Sequence, residues 1–154
     1  MSFFRSLFRF ASLILILVAT IFHITAYSTP AWTGSSSLHN GLWQACGIRC
    51  IKLGRSAVLD SVRAMESLAL IAFVASCGLS IAYLVTKQNA LRLGMAAAAI
   101  IGGILALVGV AIYGAEFPGG LYYSYGLCCV GAILSLGAGL CGLCAKDDSY
   151  EAVY

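Results

Sequence analysis

The sequence predicts an all-α membrane protein: a four-transmembrane-helix bundle with a small, disulfide-stapled extracellular antiparallel β-sheet. The first observation is composition: 61% of the 154 residues are hydrophobic and 10% are charged, with a mean hydropathy of +0.95. Soluble domains carry about 25% charged residues, so this balance indicates a membrane protein. The second observation is four long apolar segments. The third is a polar segment that holds two tryptophans and a close pair of cysteines.

Each apolar segment is long enough to cross a bilayer as a helix, which takes about 20 residues. Apolar and polar residues do not alternate in them, as they would in the strands of a membrane barrel. The first segment is too long for the apolar core of a cleaved signal peptide, so we expect it to be retained. The predicted spans are Leu7–Ala26, Ser67–Thr86, Leu93–Ala115 and Leu121–Ala145, with a turn at 116–120 and a tail at 146–154, all in one domain.

Orientation rests on two arguments, because the charge rule is weak here. With both termini in the cytosol, five basic residues flanking the spans lie inside and four lie outside. Arg5 and Arg9 are close to the first span, where charge counts most, and they favour a cytosolic N-terminus. Cys46 and Cys50 would form a stable bridge only in an oxidising exoplasmic space. We therefore expect segment 27–65 to be extracellular.

The extracellular segment is predicted to form a small sheet over the helix ends. Two short apolar pieces, at 42–43 and 51–53, are typical of strands on either side of a turn at Gly47. A bridge between Cys46 and Cys50 would hold this hairpin, which is marginal on its own. Free thiols or a bridge between two molecules are the alternatives.

Residues of this segment follow one another in a familiar order: a tryptophan, Gly-Leu-Trp, two cysteines and an arginine before the second span. They are Trp32, Gly41, Leu42, Trp43, Cys46, Cys50 and Arg63. On these positions the chain resembles the claudin and peripheral-myelin-protein superfamily. The resemblance implies a structural, adhesive role at cell–cell contacts such as the tight junction, with a contribution to a paracellular barrier. Taken alone, Arg63 is also typical of a side chain that snorkels to the membrane surface.

The segment departs from the family in length. Claudins have a longer loop, whereas only three residues separate Cys46 from Cys50 here. The parts that are shortened are those to which the resemblance would assign polymerisation and ion selection. A pore-forming role is therefore in doubt, and a second function is open: an auxiliary subunit that packs its helices on an ion channel or receptor.

Aromatic residues near helix ends are typical of the interfacial belt. This reading applies to the aromatic residues that flank the last turn, Phe117, Tyr122, Tyr123 and Tyr125. It applies also to Trp32 and Trp43, although the resemblance implies that Trp43 packs the hairpin onto the bundle.

Small residues at four-residue spacing predict close helix packing. The third span carries them at Ala98, Gly102 and Ala106, and also at Ala99 and Gly103; the fourth carries Gly131, Ser135 and Gly139. These stripes would pack within one bundle or between two molecules.

The remaining cysteines fall into two groups. Cys77, Cys128 and Cys129 are expected to be small apolar fillers inside helices. Cys141 and Cys144 lie at the cytosolic edge and are candidates for palmitoylation. Their Cys-x-x-Cys spacing also suggests a membrane thiol oxidoreductase, but about twenty helical residues would separate them from the bridge on the other side.

We expect no enzyme activity, metal site or cofactor. His23 lies within a span without a ligand partner at metal spacing, and Glu66 and Glu116 lie at predicted helix ends. Nothing resembles a nucleotide-binding loop, and nucleic-acid binding is not expected.

The tail is short, acidic and rich in tyrosine. It ends in Ala152, Val153 and Tyr154, which permits a hydrophobic PDZ ligand, the alternative being a solvated tail. The expected setting is the plasma membrane at cell–cell contacts, with both termini cytosolic. The expected partners are membrane lipid, a second copy or another tetraspan or junction protein, a channel subunit and a PDZ scaffold.

Overall fold

Four long helices and one small sheet make up the computed structural model, which describes residues 2–35 and 37–145, with side chains from residue 6. The elements in chain order are α1 (Ser2–Ser28), β1 (Thr33–Gly34), β2 (His39–Asn40), β3 (Gln44–Cys46), β4 (Cys50–Lys52), α2 (Ala57–Thr86), α3 (Asn89–Glu116) and α4 (Tyr123–Cys144). The predicted fold class is confirmed. Each helix is long and apolar enough to cross a membrane, so the chain is a multi-pass membrane protein.

The helices pack chiefly in two pairs, α1 with α4 and α2 with α3, and α3 also lies along α4. Small and aromatic side chains fill the interior, among them Ala19, Phe73 and Ala106. Large aliphatic side chains stay on the outside, as on any helix surrounded by lipid. Examples with more than half of their surface exposed are Ile14, Ile71, Ile101 and Ile133.

The four strands form an antiparallel meander in the order β1-β2-β3-β4. Cys46 lies opposite Cys50 in the β3–β4 pair, and the predicted intrachain disulfide joins them. Leu42 and Trp43 do not lie in a strand, contrary to the prediction. They occupy the tight turn between β2 and β3, which closes with a backbone hydrogen bond of 2.9 Å between Gly41 and Gln44. We call the sheet and its connections, residues 29–56, the cap, and the opposite end of the bundle the base.

The helix α2 begins ten residues before its predicted start at Ser67. Asp60, Arg63 and Glu66 lower the hydropathy of this first stretch, so a search for apolar spans stops short of it. Asp60 and Arg63 pair along the helix surface at 2.8 Å, and Glu66 faces the interior. The last nine residues of the predicted extracellular segment are therefore helical.

The turn between α3 and α4 docks against the cap. Gly34 donates a backbone hydrogen bond of 2.8 Å to Gly120, and Tyr122 donates one of 2.9 Å to Trp32. Thr33 forms an isolated β-bridge with Leu121. The turn thus covers the β1 edge of the sheet and ties the adjoining ends of α3 and α4 to the cap.

Candidate functional site

Trp32 anchors the cap in the bundle. Its side chain is fully buried, and its indole nitrogen donates a hydrogen bond of 2.7 Å to the backbone oxygen of Ala26. In a regular helix that oxygen would accept from the residue four positions later, which is Pro30, and proline has no N–H. Trp32 therefore replaces the missing backbone donor at the end of α1. Its ring packs against that of Tyr113, with 4.9 Å between centroids.

Gly41 and Leu42 fit the cap onto the end of α1. A Cβ atom at Gly41 would lie 2.5 Å from the Cα of Pro30 and 2.7 Å from the oxygen of Thr29. Only glycine allows this approach of two backbones. Leu42 is fully buried beneath the sheet. The first two residues of the Gly-Leu-Trp motif thus serve packing.

Arg63 joins the cap to α2. Its Nε donates a hydrogen bond of 2.8 Å to the backbone oxygen of Leu42, and its guanidinium lies 5.1 Å above the Trp43 ring. Trp43 also meets Tyr27 of α1 edge-on at 5.5 Å but remains 44% exposed. Arg63 is a cap contact and does not simply snorkel, and Trp43 lies at the rim, whereas Trp32 is the buried anchor.

Four apolar side chains of the cap are exposed. Ile48 at the tip of the β3–β4 hairpin is fully exposed, and Leu38, Ile51 and Trp43 each have at least two fifths of their surface exposed. All three residues of β4 are exposed. These four side chains, which we call the apolar cap residues, lie outside the core. They do not form a single face, because Ile51 lies on the same side of the sheet as its buried partner Ala45 and Trp43 lies against α1 and α2.

The aromatic residues of the α3–α4 turn divide into two groups. Tyr125 packs edge-on against Trp32 at 6.1 Å and Phe117 against Tyr113 at 4.8 Å, so both belong to the packing beneath the cap. Tyr122 and Tyr123 are about half exposed, which is compatible with the predicted interfacial role.

The small residues of α3 and α4 pack within the bundle, but the two predicted stripes do not simply face each other. A Cβ atom at Gly102 would meet Phe73 of α2, one at Gly131 would lie 3.2 Å from the Ala19 oxygen of α1, and one at Gly139 would meet Ile100 of α3. Ser135 donates a hydrogen bond of 2.7 Å to the Ala99 oxygen of α3, and Ala106 is fully buried.

At the base, two side chains hold the end of α4. Arg92 is buried and donates hydrogen bonds to the backbone oxygens of Gly142, at 3.3 Å, and Leu143, at 2.8 Å. Tyr83 donates one of 2.9 Å to Ala145. These donors satisfy carbonyls that a helix end leaves unpaired, and the cation lies where the helix dipole favours it.

Cys141 and Cys144 lie at the base, where Cys144 is exposed and Cys141 half-buried. The 22 residues of α4 separate this end from the cap by roughly 33 Å at helical rise. The pair therefore cannot exchange disulfides with Cys46 and Cys50, which removes the geometric basis for a thiol relay between them. The PDZ-like end, Ala152 to Tyr154, lies outside the described residues.

Inside the bundle, beneath the cap, the structure joins three polar side chains that the sequence analysis left apart. His23 of α1, Glu66 of α2 and Cys128 of α4 are all fully buried. The Cys128 thiol donates a hydrogen bond to Glu66 Oε2 at 3.2 Å, and His23 Nε2 lies 3.0 Å from the Glu66 backbone oxygen and 3.5 Å from Oε2. We call these residues the inner cluster.

The inner cluster corrects three expectations. His23 does have ligand-bearing neighbours, Glu66 is not at a helix end, and Cys128 is not merely an apolar filler. The ligand atoms of the three residues lie within 4.8 Å of one another. The usable signal was His23, an ionisable residue within a predicted apolar segment, which by default indicates function. Glu66 lay just before the predicted second span, and its separation of 43 positions from His23 hid the contact.

No model of a known protein family matches this chain, and no curated protein matches it significantly.

Proposed function

We propose that the chain is a claudin-like structural protein of cell–cell contacts, with its cap outside the plasma membrane and both termini in the cytosol. The observation that carries the proposal is the exposure of the apolar cap residues, which is greatest at Ile48. Ile48 is fully exposed at the tip of a disulfide-closed hairpin. Exposed apolar patches on a rigid, folded support are typical of protein–protein contact surfaces.

The open edge of the sheet supports lateral association. The α3–α4 turn covers β1, whereas no strand among the described residues pairs with the outer side of β4. An uncovered strand offers unpaired backbone groups to a neighbouring chain. Exposed Arg49, Lys52 and Arg55 keep the region soluble until a partner with acidic or apolar groups covers it.

The convergence of the motif residues supports the family resemblance. Trp32, Gly41, Leu42 and Arg63 form the joints between cap and helices. These four positions of the motif therefore have a packing role between the cap and the helices. Exposed Cys144 at the base supports palmitoylation, and the tail is proposed to bind a PDZ scaffold.

A mixed-cell assay tests the adhesive role. Tagged protein in cells that do not adhere should accumulate where two expressing cells touch. Ile48→Glu should abolish this enrichment, whereas Ser35→Glu, which adds the same charge at another exposed cap position, should leave it intact. Surface biotinylation checks that both variants reach the membrane. Equal density at touching and free membrane would contradict the proposal.

The alternative function is an auxiliary subunit of a channel or receptor. Gly78 of α2 and Gly126 of α4 are exposed, with open space where a Cβ atom would lie. Such gaps on a lipid-facing helix let a partner helix approach closely. A channel that co-purifies in fixed ratio from isolated cells, and that Gly78→Leu releases, would favour this function over adhesion.

A further inference from the structure

One oxygen atom of the inner cluster is buried without a partner to bind it. Glu66 Oε1 is buried and has no hydrogen-bond partner among the described residues. A carboxyl group with an unused oxygen inside an apolar bundle is costly unless something else binds it. Glu66 is enclosed by its neighbours. His23, which lies beside it, packs against Phe73 with 5.0 Å between ring centroids, and α3 closes over the Glu66 carboxyl group.

The α3 helix leaves room for the carboxyl group at one position. A Cβ atom at Gly109 would overlap Glu66 Oε1 and lie 3.0 Å from its Cδ. Any larger residue would displace the carboxyl group from His23 and Cys128. Four helices thus contribute to one small polar site, three with a side chain and one with the absence of a side chain.

The hydrogen bonds of His23 orient its ring as in metal sites. The Nε2 atom lies 3.0 Å from the Glu66 backbone oxygen, so it carries the hydrogen and donates it. The Nδ1 lone pair is then free and lies 3.7 Å from Cys128 Sγ. A ligating histidine commonly donates its other ring N–H to a backbone carbonyl in this way.

The spacing of the donor atoms suits a tetrahedral ion. Metal–ligand lengths of about 2.0–2.3 Å for zinc place neighbouring ligands roughly 3.3–3.6 Å apart. The cluster has Sγ and Oε2 at 3.2 Å and Sγ and Nδ1 at 3.7 Å. The ligand atoms of the three residues all lie within 4.8 Å of one another, so side-chain shifts on the order of 1 Å bring them to one centre.

Charge balance favours a divalent cation. A thiolate and a carboxylate carry two negative charges and a neutral imidazole carries none, so a dication makes the site neutral. Neutrality removes most of the cost of placing these groups at membrane depth. Imidazole, thiolate and carboxylate together are the ligand set of Zn²⁺, whereas Ca²⁺ and Mg²⁺ prefer oxygen alone.

We propose that His23 Nδ1, Glu66 and Cys128 Sγ bind one Zn²⁺ ion that ties α1, α2 and α4 together beneath the cap. On binding, the Cys128 thiol proton leaves to solvent and a sulfur–zinc bond forms. The fourth position of the tetrahedron is open to water or to a small ligand. The site is independent of the adhesive role, which concerns the outer face of the cap.

Metal binding is tested on the full chain in lipid nanodiscs, stripped with a chelator and reloaded with Zn²⁺ or Co²⁺. Cys141→Ser and Cys144→Ser are introduced throughout, so that the base cysteines cannot bind the metal. We expect one zinc ion per chain, and a thiolate-to-cobalt charge-transfer band with Co²⁺. X-ray absorption of the zinc form should show one sulfur ligand, with nitrogen and oxygen completing the shell.

Variants assign the ligands. Cys128→Ser should abolish the cobalt band, and Glu66→Gln should weaken zinc binding by roughly tenfold or more, the scale on which even outer ligand partners act. Cys129→Ser, the neighbouring and less buried cysteine, should keep both properties. A folded parent chain that retains no zinc, a zinc shell with no sulfur or with two, or a cobalt band that survives Cys128→Ser would overturn the proposal. The first result leaves all three residues of the inner cluster intact and would show a simple hydrogen-bonded cluster.

Discussion

Replacing Trp32 by phenylalanine tests how the cap is attached to the bundle. The substitution removes the only side-chain donor to the Ala26 oxygen among the described residues, and Pro30 cannot supply another. A buried carbonyl left unpaired costs about 1–3 kcal/mol. Replacing the indole by a phenyl ring removes three ring atoms, and the gap costs at least the roughly 0.5–1.5 kcal/mol of one lost methylene group. We expect the free energy of unfolding to fall by about 2–4 kcal/mol.

The matched control is Trp43→Phe. Trp43 is 44% exposed and its main polar contact is the guanidinium of Arg63, worth roughly 0.5–1 kcal/mol at an exposed site. Reversible unfolding in mixed micelles, followed by circular dichroism, measures both changes. Hydrogen exchange of segment 33–53 should rise with Trp32→Phe and change little with Trp43→Phe. A loss below ~0.5 kcal/mol for Trp32→Phe, the size of ordinary surface effects, or equal losses for both variants would refute the anchoring argument.

Three further substitutions test other joints of the fold. Gly109→Ala should destabilise the protein by about 1–3 kcal/mol, because the added methyl group overpacks against Glu66. The control Gly78→Ala, in open space, should be neutral or stabilising by roughly 0.5–1 kcal/mol. Thermal unfolding in nanodiscs compares the two variants, and equal changes in stability would contradict the packing of Gly109 against Glu66. Cys46→Ser should lower stability by roughly 2 kcal/mol and raise hydrogen exchange in β3 and β4 alone; unchanged exchange would show that the bridge is dispensable. Arg92→Met should fray the last turn of α4, at a cost of about 1–2 kcal/mol. Faster proteolysis at the base would measure this fraying. An unchanged cleavage rate would contradict the claim that Arg92 caps the helix.

The spans and the bridge could be predicted from the sequence because both depend on local information. Runs of apolar residues reveal membrane helices whatever their neighbours, and Cys46 and Cys50 are close enough to pair in one hairpin. The start of α2 was missed for the same reason, since Asp60, Arg63 and Glu66 interrupt the hydropathy although they belong to the helix.

The inner cluster could not be predicted because it depends on the relative rotation of the helices. His23, Glu66 and Cys128 come from three helices, and no spacing along the chain relates them. Part of the role of Trp32 could have been predicted, because Pro30 has no N–H to donate to the oxygen of Ala26, four residues earlier. The absence of a donor at Pro30 identifies the Ala26 oxygen as a carbonyl without a backbone partner, but only the fold shows that Trp32 is the residue that bonds it.

The central claim is that the disulfide-closed cap faces the outside of the cell, and cysteine labelling on intact cells tests it most directly. With Ile48→Cys as the single added thiol at the exposed tip, a membrane-impermeant maleimide should label position 48 before permeabilisation. It should label Cys144 only after permeabilisation and treatment with hydroxylamine, which removes a thioester-linked acyl chain from the thiol. Labelling of Cys144 on intact cells, with position 48 protected until the membrane is opened, would contradict the account.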